Sequence, residues 1–390
     1  MYNMKKKFFN FIYQVLYYKY LYGHIRIHAK QIKRFSKLAG VDLVSKDGEK
    51  EYLEKWGKIY PRVSPRFYRF YSSFIGNDPN IVPDDCFHTI IEPLLNNQNA
   101  LSTYSDKNMF ELLFPKEYFP ICILRNMGGC YMDRDYNALQ MDKELLSRIL
   151  ISNEKIKKQG RFIVKPATET GGGKGVRLFI LDSSGKWISN DGLEFSLTFL
   201  NKTYKRDFII QECIEPCEFV RQFNPVSYST IRIFTYRSVK DEKPHFIGGY
   251  LRVGAKNSFR DNMGSGGYSC PITEDGHLLS FASNIKRQKF DNINGVSLTG
   301  SNFVIPNFEK VLSYVFEVAK KNVPNRLLSF DVMLDRNNAP HLIEYNIKSQ
   351  TVTTVQTTTK AFFGEFTDEV IDYCKQNLNN ISYVLTFSKN

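Results

Sequence analysis

The chain of 390 residues is 42% hydrophobic and 24% charged, proportions that are ordinary for a soluble globular protein with a sizeable core. No run of about 18 apolar residues is present, which excludes a membrane-spanning helix. The N-terminus lacks the apolar run and cleavage site of a signal peptide, and the seven cysteines are odd in number and scattered. We therefore predict a cytoplasmic protein with reduced thiols and two or three subdomains.

The positive charge is concentrated at the N-terminus. Residues 1–70 contain 16 Lys and Arg against 5 Asp and Glu, so they account for +11 of the net charge of +13. Apolar residues recur there at helical spacing: Phe8, Ile12, Val15 and Leu16. Such a helix can lie on an anionic membrane surface through residues 1–30, or it can pack its apolar face on the rest of the protein. Nucleic acid is not expected as a partner, because no recognised binding module accompanies the charge.

The chain changes character near residue 100. Residues 1–95 are predicted to be mostly helix and loop. Strands are predicted at 121–124, 161–166, 176–181, 208–211, 229–238 and 245–254. An amphipathic helix is predicted after Asn307, which stands where a helix cap is expected. The alternation in the last two strands is typical of antiparallel pairing, so we predict an α+β fold whose antiparallel sheet carries the chemistry.

A glycine-rich loop lies between two predicted strands and consists of Gly171, Gly172, Gly173, Lys174 and Gly175. Glycines let backbone N–H groups approach a phosphate closely, and the lysine adds positive charge. The loop is neither a Walker sequence nor a dinucleotide fingerprint, and alone it could equally be a hairpin turn. Lys165 favours the phosphate interpretation, because at the end of the preceding strand its ammonium group can reach an α- or β-phosphate.

The exit of the strand at 208–211 is predicted to hold a nucleotide base. The segment Gln211-Glu212-Cys213-Ile214 leaves this buried strand, and backbone N–H and C=O groups at a strand exit can bond to an adenine edge. Glu218 can accept hydrogen bonds from two ribose hydroxyls, although a plain surface acid is the alternative for this residue.

An acidic hairpin is predicted near the C-terminal end, with strands at 329–334 and 341–346 and a turn at 336–339 that is rich in asparagine. Its apolar residues favour burial: Phe330, Val332 and Ile343. The alternative is a solvated hairpin with scattered acids.

The register of this hairpin predicts a metal site. A turn centred between Asn337 and Asn338 places Asp331 directly opposite Glu344, with Asn346 on the same face. Two carboxylates at that distance repel unless a cation lies between them. Together with an amide oxygen they form a hard-oxygen site suited to Mg²⁺.

The order of these motifs resembles the ATP-grasp superfamily over about residues 100–350. It runs through Asp106-Lys107, Lys165-Pro166, the Gly171–Gly175 loop, Gln211 to Ile214 with Glu218, Arg260-x-Asn262 with Gly266-Gly267, and Asp331…Glu344-x-Asn346. The Arg260-x-Asn262 segment is similar to that of ribosomal-protein glutamate ligases. The sequence Asn224-Pro225…Ser229-Thr230-Ile231-Arg232…Thr235 looks like the sugar-transfer-associated ATP-grasp group, whose name and company indicate surface-polysaccharide synthesis.

The resemblance implies a fold and its parts. We expect an ATP-grasp fold with an antiparallel catalytic core and a mostly helical, basic and aromatic N-terminal region at 1–95. A first ATP-grasp part is expected at 96–160, a lid subdomain with the glycine loop at 161–215, and a catalytic, metal-binding subdomain at 216–390.

The resemblance also implies ATP and Mg²⁺ as cofactors, with two metal ions. Lys107 and Lys165 would contact the ATP phosphates, and Gly171 to Gly175 would form a mobile lid loop. The segment Gln211-Glu212-Cys213-Ile214 would bind adenine, and Glu218 would hold ribose. The metal ligands would be Asp331, Glu344 and Asn346, with Glu344 bridging the two ions.

The activity implied is that of an ADP-forming carboxylate–amine ligase that works through an acyl phosphate. Arg260 would hold the acyl phosphate, with Asn262 beside it. Arg232 is either a clamp for the substrate carboxylate or a strand residue paired with a structural acid. The family group indicates a uronic-acid sugar, nucleotide- or lipid-linked, as acceptor in capsule or O-antigen synthesis, and an amino acid or similar amine as donor.

Two other functions remain open from the sequence. The first is a phosphotransferase on the same fold, acting on a sugar or lipid-linked acceptor. The second is a nucleotide-dependent binding protein at a membrane surface, peripheral on the inner face. The acidic hairpin argues against the second, since a carboxylate cluster is costly to keep in a site without chemistry.

Overall fold

The computed structural model describes residues 2–168, 173–258 and 261–381 of the chain. Its N-terminal part is helical, as predicted: α1 Tyr2–Ala39, α2 Glu49–Gly57, α3 Pro65–Ile75, α4 Asp84–Cys86, a π turn at Phe87–Ile91, and α5 Glu92–Leu95. Short helices α6 Leu101–Tyr104 and α7 Phe110–Leu113 follow. Further along lie α8 Lys143–Ser152, α9 Glu154–Gln159, α10 Leu197–Thr203, α11 Glu218–Arg221, α12 Phe308–Lys321, α13 Thr353–Gln356 and α14 Thr367–Asn377. In the described ranges, no helix combines the length and the apolar character needed to cross a membrane.

The first sheet has seven antiparallel strands: β1 Cys122–Met127, β2 Cys130–Met132, β3 Ala138–Leu139, β4 Arg161–Pro166, β5 Arg177–Leu181, β6 Trp187–Ser189 and β7 Phe208–Glu212. Their spatial order is β3-β2-β1-β7-β4-β5-β6. The central strands β1, β4 and β7 therefore come from both sides of residue 160, so one sheet spans the segments 96–160 and 161–215. Its core is closed by α8, α9 and α10, whose buried residues are Leu146, Leu150, Ile156 and Leu200.

The second sheet is also antiparallel and carries the acidic hairpin. The remaining strands are β8 Thr230–Arg237, β9 Pro244–Val253, β10 Tyr268–Pro271, β11 Ala282–Ser283, β12 Lys289–Phe290, β13 Asn292–Ile293, β14 Val296–Ser297, β15 Leu327–Leu334 and β16 Pro340–Asn346. Seven of them form the sheet in the order β12-β11-β10-β9-β8-β15-β16, and β13 and β14 pair separately. The predicted α+β fold with an antiparallel core is thus confirmed.

The two faces of the second sheet are covered by different parts of the chain. Side chains of β8 alternate, so that Ile231 and Ile233 pack against α12, whereas Phe234 and Tyr236 pack against the N-terminal helices. The C-terminal helix α14 joins the same N-terminal cluster through Val370 and Ile371. The helical N-terminal region therefore shares its core with the second sheet.

The helix α12 begins where the sequence places it, but its cap differs from the prediction. Asn307 occupies the N-cap position with a φ of 53° and makes no capping hydrogen bond with its side chain. Its Nδ2 instead donates to the carbonyl of Asn338 at 3.0 Å, across to the hairpin turn. Because the side chain is used to bridge two elements, the helix begins without the cap that the residue type suggests.

Two alternatives were open for the basic N-terminal helix: contact with a membrane surface, or packing on the rest of the protein. The burial of α1 decides between them in part. Leu21, His28 and Ile32 are buried, so this stretch of the helix packs on the core. Phe11, Val15 and Tyr18 remain exposed on the same helix. One face of α1 therefore packs on the protein, and the other face points outward.

Candidate active site

A cleft of about 510 Å³ lies between the two sheets. From the first sheet it is lined by residues of β4, β5 and β7, and from the second by residues of β8, β9, β15 and β16. The sequence-predicted residues that line it are Lys107, Lys165, Gly173, Gln211, Glu212, Ile214, Arg232, Asn262, Asp331, Glu344 and Asn346. Most of the predicted site residues that the structure describes are thus brought to one cavity.

Lys107 is held rigidly at the floor of the cleft. Asp106 accepts a hydrogen bond from the backbone N–H of Asn108 at 2.9 Å, which begins the short turn that carries the lysine. The backbone N–H of Lys107 donates to the carbonyl of Ala167 at 2.8 Å, so the turn is attached to the end of β4. The ammonium nitrogen then lies 3.0 Å from Oε2 of Glu344.

Lys165 is the second cation of the floor and connects the two sheets. It lies on β4, is only 6% exposed, and its Nζ donates to the carbonyl of Ile343 on β16 at 3.3 Å. Burial, and next the charge of Lys107, lower its pKa to about 7, although Glu344 acts in the opposite direction. An anion entering the cleft would restore the positive charge of this lysine.

The acidic hairpin has the predicted pairing at the end that lines the cleft. Asp331 lies opposite Glu344, and Ser329 lies opposite Asn346. Nearer the turn, however, Leu334 pairs with Pro340, so the register there is one residue shorter than predicted. A bulge next to Asp331 makes up the difference, because it inserts one unpaired residue into β16. The turn is therefore centred on Asn337, not between Asn337 and Asn338.

Asp331 is surrounded by arginines. The guanidinium of Arg232 binds it with two hydrogen bonds, of 2.5 and 2.7 Å, and Arg252 donates to its Oδ2 at 3.1 Å. Burial acts to raise the pKa of this carboxyl, but the two arginines hold it below its ordinary value. Both described bonds of Arg232 go to Asp331, which favours the interpretation that Arg232 pairs with an acid of the protein itself.

The arginine network continues from Asp331 to a second acid, Asp261. Arg252 also donates to Asp261 at 3.0 Å, and Asp261 accepts a hydrogen bond from the hydroxyl of Thr230. Burial raises the pKa of Asp261, while Arg252 opposes that rise. The sequence reasoning missed Arg252 and Asp261. The signal for Arg252 was available, because strand alternation from Tyr250, the partner of Arg232, places it on the same face.

The predicted metal ligands have a donor set that fits Mg²⁺. Two carboxylates and one amide lie on one face of the hairpin and line the cleft, so that their oxygens are of the kind that Mg²⁺ binds. Within the described ranges, no three His, Cys, Asp or Glu side chains cluster so as to hold a metal. Arg232, Arg252 and Lys107 already balance the two carboxylates, so their repulsion does not by itself require an ion.

The segment predicted to bind adenine is held by residues that precede β1 and by one residue of α9. The side chain of Gln211 donates to the carbonyl of Pro120 at 3.1 Å. The carboxylate of Glu212 accepts from the backbone N–H of Ile121 at 2.8 Å and pairs with Lys155. Gln211, Glu212 and Ile214 line the cleft.

Cys213 of this segment is buried, and its thiol lies 2.8 Å from the hydroxyl of Tyr228. Burial raises the pKa of the Cys213 thiol, although the hydrogen bond with Tyr228 opposes the rise. All seven cysteines are free thiols in the described part of the chain.

Some predicted site residues lie elsewhere or outside the described ranges. Glu218 begins the short helix α11, where its side chain is 86% exposed and 3.6 Å from Arg221, and it is not among the residues that line the cleft. The ribose role of Glu218 remains a prediction. Gly171, Gly172 and Arg260 are outside the described residues.

The described end of the glycine loop is fitted closely to the first sheet. Gly173 and Gly175 have φ angles of 71° and 78°, which L-residues with side chains rarely adopt. A Cβ at Gly175 would lie 2.9 Å from Cγ of Pro166, and the Tyr204 hydroxyl donates to the Gly175 carbonyl at 2.7 Å. Lys174 is exposed. Asn262 accepts a hydrogen bond from the backbone N–H of Gly264 at 2.8 Å.

A family profile described as "Sugar-transfer associated ATP-grasp" matches residues 88–367, which is 280 of the 390 residues. No curated protein sequence matches the chain. Solved structures of similar architecture include an ADP complex of N5-carboxyaminoimidazole ribonucleotide synthetase, with 9% identity, TM-score 0.39 and coverage of 70% of this chain and 52% of that one.

Two further solved structures have comparable similarity. One is the ATP-grasp ligase PsnB with its minimal precursor, with 12% identity, TM-score 0.38 and coverage of 72% and 63% of the two chains. The other is D-alanyl-alanine synthetase A from Vibrio cholerae, with 11% identity, TM-score 0.37 and coverage of 71% and 65%. The chain thus spans between about half and two thirds of the length of these three structures.

Proposed function

The chain belongs to the sugar-transfer-associated ATP-grasp family, and on this premise we propose that it is an ATP-dependent ligase that activates a carboxylate and joins it to an amine. The observation that carries the proposal is the pair of buried lysines at the floor of a cleft between two sheets: Lys107 pairs with Glu344, and Lys165 donates to the neighbouring carbonyl of Ile343. Two buried cations beside a carboxylate are suited to a polyphosphate whose charge must be neutralised during transfer.

The proposed reaction has two steps. A carboxylate oxygen of the acceptor attacks the γ-phosphorus of ATP, the bond between that phosphorus and the β–γ bridging oxygen breaks, and ADP leaves. The amine then attacks the acyl carbon of the resulting acyl phosphate, the bond from carbon to the phosphate oxygen breaks, and the amine loses a proton. Activation is needed because a free carboxylate offers only a poor leaving group.

The residues of the cleft have distinct parts in this scheme. Lys107 and Lys165 orient the phosphates and offset the charge that develops on them, where fixed cations act most strongly. When bound, Mg²⁺ would supply further charge neutralisation, held by Asp331, Glu344 and Asn346. Arg252 and Asn262 also line the cleft, and we assign them to the acceptor. Arg260 remains our proposal for holding the acyl phosphate.

We propose a uronic-acid sugar, nucleotide- or lipid-linked, as the acceptor, in capsule or O-antigen synthesis, with an amino acid or similar amine as donor. The family description supports a sugar context. Other lining residues of the cleft offer groups that suit a polar ring: the phenols of Tyr228 and Tyr250, the hydroxyl of Thr351 and the ammonium of Lys348.

The test is ATP turnover in the presence of hydroxylamine, against a pool of uronic acids and nucleotide-linked uronates. ADP release with a hydroxamate product is the expected result and identifies the acid. ADP release without hydroxamate would favour transfer of phosphate to a hydroxyl. If MgATP raises the melting temperature of the protein but no ADP is released, the pool lacks the acceptor. Lipid-linked glycans are then tested in its place.

Two variants, one test and one control, examine the cleft floor in this assay. Glu344→Gln keeps the shape of the cleft and removes the charge beside Lys107, so turnover should be lost while the fold is kept. Lys116→Met is the matched control, because Lys116 lies outside this cleft and pairs at the surface with Asp135. Unchanged ATP consumption in Glu344→Gln would contradict the assignment of the floor.

A further inference from the structure

Helix α1 is 38 residues long, and its described side chains form a buried face and an exposed face. At 1.5 Å per residue it is about 57 Å long, far more than the core beneath it requires. The face that includes Leu21, His28 and Ile32 is buried against the N-terminal cluster. This packing fixes the direction of the helix, so the opposite face is presented to the surroundings in a defined orientation.

The first half of the outward face is apolar and aromatic. Its residues are spaced by three and four: Phe11, Ile12, Val15, Tyr18 and Tyr22, with exposures between 36% and 67%. This spacing places them within about a third of the helix circumference, on one stripe. An exposed apolar stripe of this kind is unusual for a surface that faces only water.

The second half of the same outward face is basic. Lys19, Arg26, Lys30, Lys33 and Lys37 are all exposed and continue the angular position of the apolar stripe. The helix contains nine Lys and Arg residues and no Asp or Glu. The outward face therefore carries a one-signed charge that no acid of the same helix can neutralise.

We propose that this outward face docks on an anionic lipid bilayer. The apolar half would enter the boundary between headgroups and acyl chains, and the basic half would lie along the lipid phosphates. An apolar stripe and a polybasic run supply the two signals that stable attachment of a non-spanning helix needs. Aliphatic side chains in the centre of the stripe, Ile12 and Val15, gain nothing from a nucleic-acid backbone. The same charge therefore points to lipid and not to nucleic acid.

The experiment is flotation of the full-length protein with vesicles of phosphatidylcholine alone and of phosphatidylcholine with an equal part of phosphatidylglycerol. We expect binding to the anionic vesicles only, weakened by high salt because the phosphates are screened. Phe11→Ser with Val15→Ser should reduce binding by about tenfold, and Arg26→Gln with Lys30→Gln and Lys33→Gln should do the same.

The matched control removes charge from another exposed helix. Lys157→Gln with Lys158→Gln on α9 should leave vesicle binding within about twofold of the wild type, since these residues are exposed but far from α1 in sequence and not on its stripe. All substituted positions are exposed, so the melting temperature of each variant checks that the fold is kept.

Three results would overturn the proposal. One is the absence of binding to anionic vesicles at moderate salt. Another is equal binding by the wild type and both α1 variants. The third is competition in which duplex nucleic acid removes the protein from the vesicles and binds it more tightly, which would identify the basic face as a nucleic-acid surface.

Discussion

The two lysines of the cleft floor differ in their surroundings. Lys107 has a carboxylate partner, Glu344, at 3.0 Å, whereas the only described bond of Lys165 is to the backbone carbonyl of Ile343. A buried ammonium without a carboxylate partner costs stability, since desolvation disfavours its charge. This cost in stability supports our proposal that Lys165 binds an anionic ligand.

Replacement of Lys165 should separate stability from activity. Lys165→Met removes the charge while keeping the length of the side chain, so we predict that ATP turnover falls by about a hundredfold or more. The melting temperature should stay unchanged or rise, because the cost of the buried charge is removed. ADP release and thermal unfolding measure the two effects. A large loss of stability would indicate a structural role for this lysine.

Arg232 should behave in the opposite way. Its two hydrogen bonds to Asp331 balance a buried carboxylate, and Arg252 supplies only one more. We predict that Arg232→Met lowers the free energy of unfolding by about 2–4 kcal/mol, measured by urea denaturation. Arg252→Met is the matched comparison and should cost less. A normal stability of Arg232→Met with a raised KM for the acid would support the substrate-clamp interpretation instead.

At this scale the predicted pairing of Asp331 with Glu344 is present, although the turn lies half a residue from its predicted centre. The sequence did not predict the bulge that restores this pairing, since one unpaired residue leaves no local signal. The arginine partners of Asp331 were also not predicted from the sequence. Arg232 and Arg252 meet Asp331 only because β8 lies between β9 and β15, which is a property of the sheet order.

Among the elements, α1 is attached to the core by a stack of imidazoles. The rings of His28 and His88 lie 4.8 Å apart at an angle of 15°, and those of His24 and His28 lie 5.6 Å apart at 20°. Burial, then the charges of His88 and His24, lower the pKa of His28 to about 3. The pKa of His88 is raised by its hydrogen bond and charge interaction with Glu92, against the effect of burial.

His28 makes stability depend on pH in a defined direction. His28 in the unfolded chain takes up a proton near pH 6.5, whereas in the folded chain it does so only near pH 3. Its contribution is therefore complete above pH 6.5 and is lost as the pH falls toward 3. Between pH 7 and pH 5 this amounts to about 2 kcal/mol. His28→Gln should flatten this acid loss in urea denaturation, and an identical pH slope in both proteins would contradict the prediction.

Elements with a strong local pattern were predicted closely. The strand Arg161–Pro166 begins and ends at the predicted residues, because apolar alternation and a proline mark its limits. The pairing of β7 between β1 and β4 was not predicted, since alternation fixes the face of a strand and not its neighbour. The exposed position of Glu218 was not predicted either. It follows from the one-turn helix that begins at that residue.

On the scale of the whole molecule, the predicted divisions of the chain do not coincide with separate cores. The first sheet combines strands from 96–160 and 161–215, and the helices of 1–95 share one cluster with β8, β15 and α14. Composition marks where the chain changes character, but the burial of one segment on another depends on long-range packing. The boundaries at residues 95, 160 and 215 therefore stay predictions about chain segments.

Truncation tests this shared core. Removal of residues 1–14 should leave the melting temperature unchanged, because the described core contacts of α1 begin at Tyr17 and include Leu21, Ile32 and Phe35. Removal of residues 1–41 should lower it by several degrees or cause aggregation, since it uncovers the buried side of the cluster. Equal stability of the two truncated proteins, measured by thermal unfolding, would mean that α1 contributes little to the core.

The cluster that joins both ends of the chain has a consequence for biosynthesis. The N-terminal helices can pack on one another early, but the cluster is not complete until β8, β15 and α14 have been synthesised, roughly 200 to 350 residues later. At typical elongation rates this interval lasts tens of seconds. Throughout it, the side of the N-terminal helices that later packs on β8 and β15 is uncovered, so chaperone capture or early contact with a surface would precede completion of the second sheet.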